Sequence, residues 1–395
     1  MRNILKLPSI EERNIQIFYI NNVLHNAWFF IGNWIFFWTL YMSYTQLGWV
    51  DAIGFGFGLL MEIPTGAVAD FFGKRKTIIL ATLLSAIGIL TFTFGRAYTP
   101  MLIGFLIAQL GWALYSGSGE ALAYDTLLEK KKEETFEDVI STAHSLRLVT
   151  IVVCSVVGIW VYSIANYLPQ FIWGIAYLIT FAISFFIIEP KVDSYVFSWR
   201  GYFKQFKSGF KTLLRRDLLV YTLPLLMLMV VYTIYDIGLV RPAVSLVNNL
   251  NDVGQSIVFA LASLSAAALV YFLPKLRKYI TDYSLSTILI LVSSITFLML
   301  GFRLGPVMAI PMILLGTTGG ASSPLLSIII NKHTKSEERA TTLSTAAFVS
   351  TLPYALSASF IGWAIDSDNF LYFVFPVVLI SLFVWGISFV LHRSK

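Results

Sequence analysis

Gly66-Ala67-Val68-Ala69-Asp70-Phe71-Phe72-Gly73-Lys74-Arg75-Lys76 closes one long apolar segment and precedes another. The run carries one acid, then three consecutive basic residues, at the point where the chain must reverse. A short, charged turn of this kind ties two neighbouring apolar helices so that they move together. What those helices cross, and how many there are, follows from the rest of the chain.

Of 395 residues, 57% are hydrophobic and only 13% charged, with a mean hydropathy of +0.75. A soluble protein would carry about twice that charged fraction, so the composition describes a polytopic protein of the lipid bilayer. The single cysteine, Cys154, lies inside an apolar segment and excludes a disulfide framework or a cysteine-rich metal site. The net charge of +6 is distributed as a membrane-orientation signal, and no nucleic-acid partner is expected. The polar first dozen residues, followed by a segment without a small-residue cleavage site, predict no cleavable signal peptide. No Gly-x-x-x-x-Gly-Lys-Ser/Thr run occurs, so ATP is not the expected energy source, and neither cofactor nor metal is expected.

A bilayer core takes roughly 20 apolar residues as helix. On that ruler, twelve spans are predicted near 15–42, 46–70, 77–95, 100–128, 139–165, 168–188, 218–241, 253–273, 284–302, 306–330, 340–365 and 369–391. The long connection 190–216 predicts two six-helix halves, 1–189 and 217–395, joined by a linker. With both termini in the cytoplasm, 24 of the 28 basic residues fall on the inner side, as the positive-inside rule requires. Arg96, Arg241 and Arg303 fall outside, and Arg147 lies within a span. The halves share an offset of 203 residues: Ser141-Thr142-Ala143 matches Ser344-Thr345-Ala346, and Trp160, Asn166 and Leu168 match Trp363, Asn369 and Leu371. The linker carries Phe203, Phe206, Phe210 and Leu214 on one helical face with basic residues around it, a pattern for lying on an anionic inner leaflet.

Ionisable and polar residues inside spans are costly, so each is a candidate for function. Asn22, His25, Asn26, Phe29 and Asn33 share one direction in the first span and line a cavity or bond another helix. His25 titrates near physiological pH and suits a proton carrier or a structural hydrogen bond. In the fourth span Gln109, Ser116 and Glu120 share a face, and Glu120 lies about 15 Å above the cytoplasmic side, near the midplane. It is read as a proton or substrate site, with Asp125 nearer the surface as a structural or gating partner. His144 and Arg147 in the fifth span are candidate partners; Arg147 lies at a depth similar to that of Glu120, and a Glu120–Arg147 pair is expected, either switchable or permanent. Glu62-Ile63-Pro64 marks a kink in the second span. Tyr232, Tyr235 and Asp236, with Arg241 beyond them, form an outer gate or an interfacial belt. Gly319, Gly320 and Pro324 in the tenth span match Gly117 and Gly119 in the fourth, as helix breaks or as close packing. Gly54-x-x-x-Gly58 is read as packing.

The opening run resembles the Gly-x-x-x-Asp-Arg-x-Gly-Arg/Lys-Arg loop signature of the major facilitator superfamily. Gly66, Asp70, Gly73, Lys74 and Arg75 match it, and Phe71 stands where the family usually has Arg. The corresponding turn of the second half, Lys275-Leu276-Arg277-Lys278-Tyr279, keeps the charge but not the Gly-x-x-x-Asp. The resemblance implies an all-α fold of two six-helix bundles that rock about a central cavity lined mainly by spans 1, 4, 7 and 10. It implies that Asp70 meets the helix end near Arg339-Ala340-Thr341-Thr342, with Lys74 and Arg75 reinforcing a cytoplasmic gate. Drug–proton antiporters of this superfamily carry a glycine- and proline-rich fifth span; here that span has Gly158 and no proline. The aromatic-rich spans 1, 4, 5 and 7 favour an apolar or amphipathic organic solute over a sugar. The expectation is a proton-coupled, monomeric secondary transporter of the inner membrane of a prokaryote-like cell, with export ahead of uptake. An uncoupled facilitator, a transporter-like receptor and a lipid-moving protein are the alternatives. His25, His144, His333 and His392 are scattered without a His-Glu-x-x-His pattern, so no enzyme is expected.

Overall fold

The computed structural model describes residues 7–191, 199–334 and 336–394; the side chains of 62–71, 117, 199–203, 205–206, 237, 252 and 336–340 lie outside that description. The described chain is predominantly helical and makes twelve passes. The first half contains α1 (Arg13–His25) and α2 (Trp34–Trp38) in one divided pass, then α3 (Tyr44–Phe72), α4 (Lys74–Gly95), α5 (Tyr98–Glu129), α6 (Phe136–Ile164) and α7 (Leu168–Ser184). A linker helix, α8 (Trp199–Leu213), follows. The second half contains α9 (Arg216–Tyr232), a π-helical turn (Thr233–Ile237) and α10 (Val240–Val247) in one pass, then α11 (Asp252–Leu276) and α12 (Asp282–Met299). It ends with α13 (Ala309–Gly320) and α14 (Ser322–His333) in one pass, then α15 (Ser336–Asp366) and α16 (Leu371–Arg393). Nine of these runs are, among the described residues, individually long and apolar enough to cross a bilayer. Helices dominate because the hydrocarbon core offers no partner for a backbone N–H or C=O outside the segment itself.

The chain packs as two units, one of Met1–Met42 with Ile53–Ser198 and one of Ser43–Ala52 with Trp199–Lys395. The opening turns of α3 therefore belong with the second unit, and the rest of that helix with the first. In the first unit, Ile15, Phe18, Ala123, Leu127 and Val139 join α1, α5 and α6 at one end. In the second, Leu218, Leu225, Leu273, Leu289, Leu326 and Ile330 join α9, α11, α12 and α14. Small residues set the closest crossings. A Cβ at Gly88 would lie 2.3 Å from the Ala108 backbone, so α4 and α5 touch main chain to main chain. Gly54 and Gly58 admit Phe105 and Gln109 of α5, so that glycine pair serves packing. Large apolar side chains such as Leu148, Val156 and Trp160 of α6 remain exposed, as a lipid-facing surface requires.

The structure departs from the sequence reading at two places. The first span is not one helix: α1 stops at His25 and turns occupy 26–33, so the expected polar stripe from Asn22 to Asn33 does not form. Helix α5 runs unbroken through Gly117 and Gly119, whereas the tenth pass does divide, at Ala321 between Gly320 and Ser322. The linker helix is a packed element: Gly209 sits so close to α15 that a Cβ would be 2.4 Å from Thr345 Oγ1, and Thr212 and Leu213 are buried. Phe210 and Leu214 stay exposed on its other side.

Candidate functional site

The charged turn after α3 is anchored within the first unit. Gly73 has φ +89°, a left-handed conformation that favours glycine, and it precedes the first turn of α4. The Glu189 carboxylate, just past α7, accepts the Lys74 and Arg75 backbone N–H groups at 2.7 and 2.8 Å. It thereby satisfies donors that a helix start leaves open and complements the positive helix end. The Lys74 ammonium pairs with Asp125 near the end of α5, and the Arg75 guanidinium donates to the Phe185 carbonyl at 3.0 Å. Asn14 of α1 completes this polar end: it donates to Thr126 Oγ1 and the Ile188 carbonyl and accepts from the Ile188 N–H. Asp125, expected as a structural or gating partner, is thus brought to the charged turn by the fold. Glu189 was missed because it lies beyond any span and only the fold brings it to the turn. The side-chain surroundings of Glu62, Pro64, Gly66, Asp70 and Arg339 lie outside the described residues, as does anything read for Gly117 beyond its helix.

At the break after α1 an aromatic cluster surrounds His25. Its imidazole stacks on Tyr177 of α7 at 4.5 Å between centroids, with planes 12° apart, and meets the edge of Tyr115 of α5 at 4.2 Å. The His25 carbonyl, freed by the end of the helix, accepts two indole N–H groups, from Trp28 and from Trp173, each at 3.0 Å. Phe30 lies 4.5 Å and Trp112 5.4 Å from the Trp173 ring. The turn is pinned to α6 by Asn33, whose amide donates to the Phe29 and Gly158 carbonyls at 3.3 and 3.1 Å. Gly158 is obligatory there, since a Cβ would come within 1.8 Å of the Phe29 oxygen. Asn26 and Asn22 bond the backbone one turn earlier in their own segment.

The polar groups inside this cluster are few. His25 Nε2 is buried without a hydrogen-bond partner, and so are both side-chain polar atoms of Gln170, one turn before Trp173. The Arg147 guanidinium lies 5.9 Å from the Trp28 ring centroid and has no acidic partner among the described residues. The expected Glu120–Arg147 pair is absent: Glu120 is exposed, as are Ser116 and His144, while Gln109 is buried. The three residues read as one face of the fourth span therefore occupy two environments.

The second unit has its own cluster at the π-helical turn. The Tyr235 hydroxyl donates to the Met312 carbonyl of α13 at 3.0 Å. Gly319 makes room for Tyr232, whose ring would lie 2.2 Å from a Cβ there. Arg241, just beyond the π-helical turn, is 3% exposed; its Nη1 lies 3.4 Å from Asp236 and its guanidinium 4.5 Å from the Phe259 centroid of α11. Its Nε and Nη1 lack hydrogen-bond partners, as do both polar atoms of fully buried Gln255, one turn from Phe259. Pro324 sits in the first turn of α14, where a missing N–H costs nothing. No group of three or more metal-ligating side chains occurs among the described residues.

A sequence profile described as Major Facilitator Superfamily matches residues 17–358. This chain belongs to that superfamily of membrane transporters, whose fold is generally not that of an enzyme. Among solved structures, the nucleoside transporter NupG superposes with a TM-score of 0.75 at 14% identity, covering 98% of this chain and 100% of its own. A bacterial homologue of the human lysosomal transporter Spinster, in an inward-facing, unoccupied conformation, gives 0.68 at 14% identity, with 96% of each chain covered. At that identity the likeness is one of fold. No curated protein matches the sequence at a significant level.

Proposed function

We propose that this protein is a secondary transporter that moves a small organic solute, apolar or amphipathic and containing a planar ring, by alternating access of the bundles 1–189 and 217–395. The observation that carries the reading is the cluster of His25, Tyr115, Tyr177, Trp173, Trp112 and Phe30 at a helix break. Apolar, ring-lined sites with a few orienting polar groups are what small-molecule pockets look like, and broken helices mark substrate sites in transporters. A sugar site would show more paired hydrogen-bonding side chains than the unpartnered His25 Nε2 and Gln170. Transport is coupled to protons and runs outward, with both termini in the cytoplasm of a prokaryote-like cell and a monomer as the working unit. Lys74 and Arg75 brace the cytoplasmic end of the first unit.

The test uses proteoliposomes loaded with a pH dye and a panel of lipophilic cations, anions and neutral ring compounds. A hit should lose affinity about 2–10-fold in Tyr177→Ala, the equivalent of one aromatic pair worth roughly 0.5–1.5 kcal/mol. A full hit panel in which Tyr177→Ala and Trp173→Ala leave affinity unchanged would remove the aromatic site from the mechanism.

A further inference from the structure

We propose that Asp51 is the residue that takes up and releases the transported proton, with Tyr354 as the hydrogen-bond partner that holds it. The proposal rests on the reading of this chain as a proton-coupled transporter and names the group that reading leaves open. Asp51 lies in the second turn of α3, about 10 Å along the helix from Tyr44. It is 6% exposed and is the only buried carboxyl group among the described residues. Other span carboxylates among the described residues stand differently. Asp125 has Lys74, Asp236 has Arg241, and Glu120 is exposed.

Within the second unit, the opening of α3 is fastened to α15 by main-chain contact. A Cβ at Gly48 would meet the Ala358 carbonyl at 2.3 Å, and one at Gly362 would meet the Tyr44 carbonyl at 2.0 Å. At one end the Asp366 carboxylate accepts the Tyr44 and Thr45 N–H groups at 3.1 and 2.7 Å and the Thr45 hydroxyl at 2.7 Å, capping α3. Two turns further in, the fully buried Tyr354 hydroxyl donates to Asp51. The same tyrosine ring fills the place of a side chain at Gly238, just after the π-helical turn, where a Cβ would be 2.4 Å away. Asp51 therefore touches, through one tyrosine, the segment that carries Asp236 and Arg241.

The charge balance makes this a proton site rather than an ion pair. The titratable group facing Asp51 from α15 is Tyr354. On the α9–α10 side, Gly238 meets the same ring. The nearest charges along these elements have other partners, Asp366 on the α3 start and Arg241 with Asp236. An ionised carboxylate here would stand in an apolar site with one hydroxyl donor, a cost that a neutral carboxyl avoids. Fastened helices thus favour the protonated acid, and parting α3 from α15 admits water and lets the proton leave. The step needs no co-reactant: an O–H bond of the carboxyl breaks and the proton passes to water.

The test begins with infrared difference spectra of the protein in lipid, titrated from acid to alkaline pH without substrate. A protonated-carboxyl band should vanish as pH rises, be missing in Asp51→Asn, and remain in Tyr354→Phe with a shifted midpoint. Asp51→Asn keeps an acceptor for the Tyr354 hydroxyl, so the fold is expected to survive; if it does not, the midpoint shift in Tyr354→Phe decides. A titrating band that persists unchanged in both variants overturns the proposal. In proteoliposomes, with the hits of the panel above, Asp51→Asn should abolish substrate-driven proton movement while substrate exchange continues. Proton movement retained in Asp51→Asn refutes the assignment and leaves coupling intact. Wild-type flux without proton movement refutes coupling itself, and a substrate-free band lost in Asp51→Asn would then show a proton site without a transport role.

Discussion

The close approach of Gly158 to the turn at Phe29 is the place to test how the break at His25 is held. Replacing Gly158 by alanine puts a methyl group 1.8 Å from the Phe29 carbonyl oxygen, and real contacts of this kind do not fall below 3.0 Å. The backbones of α6 and the turn must then part by 3.0 − 1.8 = 1.2 Å. Both sides of the clash are main chain, so no rotamer change relieves it. Overpacking of this kind costs roughly 1–3 kcal/mol, and parting also strains the bond from Asn33 to the Gly158 carbonyl, worth about 1 kcal/mol. The expected loss is about 2–4 kcal/mol, or roughly 5–15 °C in Tm by the scaling for units of about 200 residues. The chain supplies its own reporter. Cys154, the single cysteine, is buried one turn before Gly158 on α6, so a thiol-reactive fluorogenic dye follows melting and, at low temperature, local opening. Gly158→Ala should label faster than wild type below its melting point as well as melting earlier. Unchanged melting and unchanged labelling together would refute the close approach of the turn to α6.

Four further outcomes follow from the contacts described. Glu189→Gln, which keeps shape but removes the charge from the α4 cap, should destabilise by about 1 kcal/mol in denaturant unfolding, and an undisturbed midpoint would disprove the cap. Asp125→Asn removes one charge partner of Lys74 and should cost about 1–3 kcal/mol, the range for a hydrogen bond to a charged group, while Lys74→Met with Asp125→Leu should recover part of it; thermal melts of single and double variants decide. Tyr235→Phe should lose about 1 kcal/mol with its bond to the Met312 carbonyl, read by the same melts. Outside the membrane, the Lys132 ammonium holds the Glu11 carboxyl below the ordinary glutamate range, and Glu11 with Glu12 holds Lys132 above its own. The Glu11 contribution is therefore complete above the unfolded value and lost as pH falls through the lowered folded one. Carboxyl-carbon NMR should show a Glu11 midpoint that returns to the ordinary value in Lys132→Ala.

The twelve passes were legible because hydropathy and charge placement are local and additive along the chain. The break in the first pass was not, because Asn26 to Asn33 reads as a polar helical stripe. The indoles of Trp28 and Trp173, which accommodate the helix end, come partly from another pass. Lys74 and Arg75 could be recognised by type and spacing, yet their partners, Asp125 of α5 and Glu189 beyond α7, arrive from segments distant in sequence. Tyr232, Tyr235 and Asp236 could be singled out by type, but the π-helical turn that carries Tyr235 and Asp236, with buried Arg241 just beyond it, is revealed by no periodicity. Asp51 drew no notice because an acid one turn inside a predicted span reads as interfacial until α15 covers it.

That π-helical turn between Tyr232 and Gly238 also holds a spare residue. A π turn accommodates one amino acid more than the α-helix around it, so it stores about 1.5 Å of axial slack and about 100° of rotation. Passing that residue into α9 would swing Asp236 relative to Arg241 and move the ring slot at Gly238, where the backbone is already extended and the helix interrupted. The seventh pass can in this way change which side chains it presents by a ratchet of a single amino acid, leaving the ends of the pass in place.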